Sequence, residues 1–189
     1  MCGRLNIYGD SLSQAVSSAL HINFKAANNN DLCPTQTVST VAFNNGMHQL
    51  DTTWGIKPQW SKKLLINAQS ETVTVKPTFK RAFAENRCVV PCSGWYEWAS
   101  VAGEGKHKYL FDNEDGSPLY MAGIFYPQPE ASPELVTLTT KPSKQCTQYH
   151  HRMPLLIPEQ AVEDWLTLPA DKLSRLLAGA GESVRVVRC

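Results

Sequence analysis

The chain has 189 residues, of which 42% are hydrophobic and 19% charged, with a net charge of +1 at pH 7. These values describe one ordinary globular domain, long enough to bury a real core, and so near neutrality that charge alone points to no partner. They exclude a membrane-spanning run of apolar residues, and the opening residues lack the charged and apolar regions of a secretory signal, so the expected location is the cytoplasm, with reduced thiols.

Residues 2–7 read as a first strand, ended by Gly9-Asp10. A helix is expected over 11–20, because Leu12, Ala15, Val16, Ala19 and Leu20 share one face and Asp10 or Ser11 can cap it. The polar stretch 28–31 reads as a loop, and Cys33-Pro34-Thr35-Gln36 leads out of it. Residues 38–43 and 47–54 form a hairpin around Asn44-Asn45-Gly46, a strong turn signal. Residues 54–60 are irregular, aromatic and basic, which suits either a binding wall or a corner of the core. A loop with a short helix is expected over 70–81. Strands resume at 87–90 and 95–99, and 108–111 is expected to pair with 119–124 across Asn113-Glu114-Asp115-Gly116. Further strands fall at 135–140 and 155–157. Pro158 opens a helix whose Ala161, Val162, Trp165 and Leu166 face the core. A second helix spans 170–178, stopped by Gly179 and Gly181, and 183–188 is a last strand. Many short strands with a few helices make an α+β fold: a single domain over 1–189 with a mostly antiparallel, barrel-like curled sheet.

The six cysteines are Cys2, Cys33, Cys88, Cys92, Cys146 and Cys189. Cys88-x3-Cys92 and Cys146-x3-His150 could be written as four zinc ligands. An extended run from 88 to 92, however, separates its ends by roughly 13 Å, and zinc needs each sulfur at about 2.3 Å. No metal or organic cofactor is expected. From 54 to 92 the chain carries seven basic residues (Lys57, Lys62, Lys63, Lys76, Lys80, Arg81, Arg87) against Glu71 and Glu85. Such a segment suits a phosphate-binding face or a merely solvated one.

Cys2 is the residue with the most distinctive chemistry. Aminopeptidase removal of Met1, permitted by a small second residue, leaves an α-amine (pKa about 8) and a thiol (pKa about 8.5) on adjacent carbons. The amine condenses with an aldehyde to an imine, and the thiol closes on the same carbon as a thiazolidine. Glu97 stands between Tyr96 and Trp98, where partial desolvation raises a carboxyl pKa toward neutrality. Asn67 follows an apolar run and can donate and accept at once, as a site residue or as a turn cap. His150 and His151 titrate near neutral pH, and strand alternation would let only one of them enter a site.

Four stretches in this order resemble the SOS-response-associated peptidase (SRAP) family, whose members process abasic sites in single-stranded DNA. They are Met1-Cys2-Gly3-Arg4, the run from Leu65 to Thr72, Gly94-Trp95-Tyr96-Glu97-Trp98, and His150-His151-Arg152-Met153-Pro154. The resemblance implies that Cys2 is the nucleophile, that Glu97 assists opening of the abasic sugar, and that Asn67 holds the reacting groups in line. His150 aligns with the catalytic histidine. Arg4, Arg81 and Arg152 are candidates for phosphate, and Trp54, Trp60 and Trp95 for stacking on bases. Gln69 stands where the family commonly has arginine, which weakens one expected phosphate contact. Cys92-Ser93 and Cys33 also depart from the familiar residues, in places that bear on the core. The implied activity is a covalent thiazolidine cross-link between Cys2 and the ring-opened sugar. Alternatives are an N-terminal-nucleophile cysteine peptidase, processing only itself at the limit, and a non-covalent reader of modified or single-stranded DNA. The expected partner is single-stranded DNA containing abasic sites, the expected state a monomer off the membrane.

Overall fold

The structure, a computed structural model, describes residues 2–179 and 183–189. Of the features singled out in the sequence, Met1 and Gly181 lie outside the described residues.

The chain enters β1 (Leu5–Ile7) and turns at once into α1 (Gly9–Leu20), whose Leu12, Val16 and Leu20 are buried at helical spacing. The helix begins earlier than its side chains suggest, and neither Asp10 nor Ser11 caps it. The Ser11 hydroxyl donates back to the Tyr8 carbonyl, while the Asn28 side-chain oxygen accepts from the Gly9 N–H at 3.2 Å. Gly9 is required there: a Cβ would lie 2.6 Å from the Ala26 carbonyl oxygen.

The expected loop at 28–31 is largely a strand, β2 (Asn29–Leu32), paired antiparallel with β1. The hairpin is β3 (Thr37–Phe43) with β4 (Met47–Trp54), in register from Thr37↔Thr53 to Phe43↔Met47. β5 (Asn67–Gln69) follows, then α2 (Pro77–Glu85), which starts with proline in its first turn and buries Phe79, Ala82 and Phe83. All six residues of β6 (Arg87–Cys92) are buried. β7 (Gly94–Val101) pairs from Trp95 to Val101 with β8 (Gly105–Asp112), and then come β9 (Leu119–Tyr126) and β10 (Glu134–Thr140).

β8 and β9 do not pair with each other, contrary to the sequence expectation. β8 lies between β7 and the last strand, β12 (Arg185–Arg188), whereas β9 joins β6 and β10 in the other sheet. The physical reason is the stack of Trp95 on Phe111, ring centroids 4.8 Å apart, which fixes β8 to β7. Of the expected strand at 155–157, only the preceding pair β11 (Met153–Pro154) joins a ladder, with an isolated bridge at Leu156. The C-terminal helices are short: α3 (Val162–Thr167) and α4 (Ser174–Leu177), each preceded by a turn of 3-10 helix.

One sheet runs β12-β8-β7-β1-β2. In the other, pairing proceeds β9-β6-β3-β4-β10 and returns to β9, so the sheet curls around on itself. β10 meets β4 through only two residue pairs, in parallel, which leaves a curled sheet rather than a regular barrel. Both sheets share one core, with Trp54, Trp95 and Trp165 among its fully buried side chains. Arg87 sits at the edge of this core and ties two helices together. Its guanidinium donates to the Phe83 carbonyl in α2 (2.8 Å), the Trp165 carbonyl in α3 (2.7 Å) and the Leu168 carbonyl just beyond it (2.5 Å).

Candidate active site

β1 is held between β7 and β2, and Cys2-Gly3-Arg4 leads into it. The Tyr96 N–H donates to the Arg4 carbonyl at 3.0 Å, so pairing with β7 extends toward the N-terminus. Cys2 is 1% exposed. Its carbonyl oxygen accepts a hydrogen bond from Asn67 Nδ2 at 2.9 Å. Asn67 is the first residue of β5, which lies parallel to β10 and opposite Thr137. The Thr137 hydroxyl donates to Asn67 Oδ1 at 2.7 Å. A peptide carbonyl can only accept, so the amide nitrogen must face Cys2, and Thr137 holds the other end.

Glu97 is buried on β7, opposite Tyr109 of β8. Burial pushes its carboxyl pKa up. Burial likewise raises the Cys2 thiol well above its ordinary value, and the neighbouring Glu97 carboxylate adds to the rise. The segment that carries the histidines is seated by aromatic contacts: Tyr149 lies 4.7 Å from Tyr109 and edge-on to Phe111 at 5.3 Å.

His150 and His151 do not face opposite ways. Their rings lie 4.2 Å apart, tilted by 31°. The chain turns here instead of running as a strand, so alternation does not apply. His150 Nδ1 lies 3.1 Å from the Arg152 N–H and 3.0 Å from its carbonyl oxygen. Burial lowers the His150 pKa and favours neutral imidazole, an effect the Arg152 carbonyl opposes in part. Burial thus moves the two groups in opposite senses, the Glu97 carboxyl toward its protonated form and the His150 imidazole toward its neutral one.

Beside Asn67 opens a depression of about 420 Å³, lined by Trp60, Gln69, Lys76, Thr139, His151 and Arg152 among others. Trp60, 69% exposed, offers a free aromatic face. Arg152 is only 12% exposed and forms a two-pronged ion pair with Glu71, at 2.7 and 2.8 Å, while also donating to the Thr139 carbonyl at 2.6 Å. That pair holds the Glu71 carboxyl below its usual value. Arg4 is ion-paired with Asp31 at 2.6 Å.

Three sequence candidates stand elsewhere. Trp54 is fully buried with its indole N–H donated to the Ile66 carbonyl, so it is a core residue and not a stacking platform. Trp95 is committed to Phe111 in the same way. Arg81 is 86% exposed on α2, ion-paired with Glu85, and lines a separate depression with Thr78 and Tyr126. Of the basic segment, Lys76 lines the depression beside Asn67, whereas Arg87 is structural. Thr137 and Glu71 escaped the sequence reading; Glu71 at least lies in the quoted stretch after Asn67. All six cysteines are free, and among the described residues no cluster of three or more metal-ligating side chains occurs. Among them also, no helix is long and apolar enough to cross a membrane.

Comparison with known proteins bears on the family and the fold. A Bacillus subtilis protein named abasic site processing protein YoqW is 26% identical over 181 residues, 88% of this chain and 80% of its own. An Escherichia coli protein named abasic site processing protein YedK is 31% identical over 118 residues, 60% of this chain and 52% of its own. A solved structure from Bordetella bronchiseptica superposes with a TM-score of 0.84 at 23% identity, covering 100% of this chain and 99% of that one, which establishes a shared fold. The profile of the SOS response associated peptidase (SRAP) family matches residues 1–188, and the chain belongs to that family.

Proposed function

We propose that this protein processes abasic sites in single-stranded DNA by forming a thiazolidine between Cys2 and the ring-opened sugar, once Met1 has been removed. The observation that carries the reading is the hydrogen bond from Asn67 to the Cys2 carbonyl beside the buried carboxyl of Glu97. An N-terminal residue pinned by its carbonyl has its amine and thiol presented together, which is the requirement for closing both bonds on one carbon.

In this reading Glu97 gives a proton to the sugar ring oxygen and takes the one the anomeric hydroxyl loses, opening the hemiacetal to an aldehyde. The Cys2 amine adds to that carbon, His150 taking a proton from the nitrogen and Glu97 giving one to the new oxygen. His150 returns its proton to the hydroxyl, which leaves as water, and the remaining iminium proton goes back to Glu97, leaving an imine. The thiol sulfur then adds to the imine carbon and the nitrogen recovers a proton, so one C–N and one C–S bond form and one water is released. The raised thiol pKa fits this order: the amine reacts first, and the thiol is spent only when the imine is in place. Trp60, Lys76 and Arg152 are proposed to receive the flanking strand.

The test is a mixture of the purified protein with a single strand bearing one abasic site, resolved by denaturing electrophoresis. The expected result is a heat-stable shifted band that requires both Cys2 and a free N-terminal amine. An unshifted strand, or equal adduct from Cys2→Ser, overturns the proposal. Release of Met1 with no adduct would favour the peptidase reading instead.

A further inference from the structure

The two-sided sheet carries a second cationic feature, on the face opposite Glu97. Strand alternation sends Tyr96 and Trp98 of β7 to that face. Lys108 of β8 lies over Tyr96, its Nζ 3.9 Å from the ring centroid, and Arg4 lies over Trp98 at 5.5 Å. Asp31 of β2 joins the two cations: one oxygen accepts from Arg4 at 2.6 Å, the other from Lys108 at 3.0 Å. β8 and β2 are three strand positions apart in this sheet, about 14 Å if it were flat. Contact between side chains at that remove requires the sheet to curl toward this face, making a shallow trough that begins at the residue following Cys2-Gly3.

Resting on the single-stranded DNA reading above, we infer that Arg4 and Lys108 form a phosphate clamp for the strand leaving the Cys2 site, and that Asp31 occupies it when DNA is absent. The argument is one of matching chemistry. A carboxylate that spreads its two oxygens across two cations occupies the place of a phosphodiester, whose two non-bridging oxygens carry one negative charge. The Lys108 ammonium, then Arg4, holds the Asp31 carboxyl below its usual value, so the stand-in stays charged at neutral pH. Asp31 is half exposed, and ion pairs that exposed are easily exchanged. The cations, by contrast, are backed by aromatic rings that keep them in place when Asp31 swings out. Asp31 is thus a positioning residue and a brake on affinity, and Lys108 a binding residue.

The test is fluorescence anisotropy of an undamaged oligo-dT strand titrated with protein over a range of salt. Asp31→Asn should tighten binding about three- to tenfold at low salt, because an internal competitor is lost. Lys108→Gln should weaken it and lower the slope of log affinity against log salt by about 0.7, the loss of one phosphate contact on a single strand. In the double variant the gain from Asp31→Asn should shrink. Inorganic phosphate, at ionic strength matched with chloride, should compete no better than chloride. Unchanged or weaker binding by Asp31→Asn with an unaltered melting temperature overturns the inference, as does an unchanged salt slope in Lys108→Gln. Selective competition by inorganic phosphate overturns the assignment to a strand. Should Asp31→Asn fail to fold, the Lys108→Gln slope decides alone. Whether the parent forms a heat-stable adduct is read separately, so failure of the clamp and failure of the cross-linking chemistry are distinct outcomes.

Discussion

Asn67 offers the sharpest test of the site, because the structure says what each end of its amide does. Nδ2 donates to the Cys2 carbonyl at 2.9 Å, and Oδ1 accepts from Thr137 at 2.7 Å. Asn67→Ala removes both bonds and strands the Cys2 carbonyl, while the Thr137 hydroxyl keeps the Ile66 carbonyl at 3.2 Å. At about 1 kcal/mol for each bond, and more where a polar group is stranded, the expected loss is about 2–3 kcal/mol of positioning. That is about a 30- to 150-fold slower adduct. Thr137→Val is nearly isosteric and removes the hydroxyl that donates to the Asn67 oxygen, together with its longer contact to the Ile66 carbonyl at 3.2 Å. It should cost one hydrogen bond, about 0.5–1.5 kcal/mol or about 2- to 12-fold. The assay is single-turnover adduct formation on an abasic single strand, quenched and resolved on a denaturing gel, with melting temperatures as the folding control. Since Thr137 acts through Asn67, the double variant should be no slower than Asn67→Ala alone. Asn67→Ala within twofold of the parent would refute the positioning role. A double variant clearly slower than Asn67→Ala would show that Thr137 works by another route.

Three further outcomes are expected. Arg87→Met leaves the carbonyls of Phe83, Trp165 and Leu168 without their charged donor, and should cost about 3–5 kcal/mol; a melting temperature within two or three degrees of the parent would contradict this. Glu97→Gln should abolish the adduct yet raise stability at neutral pH. The folded carboxyl pKa is raised by burial, so its stabilising effect is complete only below the ordinary carboxylate range and is lost as pH rises toward the folded value. The gain in melting temperature should therefore fade near pH 4, and a variant less stable than the parent at pH 8 would count against it. The acid limb of the adduct rate should lie below the range of free imidazole, because burial favours neutral His150. His150→Asn should remove that limb, and its persistence would point to another base, with His151 the first to examine.

The parts of the fold that the sequence made legible are those whose signal is local. Asn44-Asn45-Gly46 between two alternating runs specified the β3–β4 hairpin, and it is there in full register. β2 was hidden because Asn29-Asn30-Asp31 has no apolar alternation; β1 supplies the partners that make it a strand. The error over β8 and β9 has the same origin. A turn between two strands invites pairing, and nothing nearby reveals that Trp95 captures Phe111 across the other edge. At the site, Cys2, Asn67, Glu97 and His150 were visible as motif residues, but the Thr137 hydroxyl that orients Asn67 lies 70 positions away. The histidine pair was misjudged for a different reason: a rule for strands was applied where the chain turns. Lys108 and Asp31 are unremarkable in sequence, and acquire meaning only because a curled sheet brings them together.

The placement of Cys2 also sets a schedule. β1 gains its second neighbour only when β7 exists, and β7 begins at Gly94. During synthesis at about 5–20 residues per second, residue 2 therefore spends roughly 5–20 seconds outside the ribosome before the sheet can close around it. Removal of Met1, which the proposed chemistry requires, can begin in that interval, while residue 2 is still unpaired; in the folded chain the Cys2 carbonyl is tied to Asn67. The order of trimming and folding therefore decides whether Asn67 first meets Cys2 as an internal or as a terminal residue.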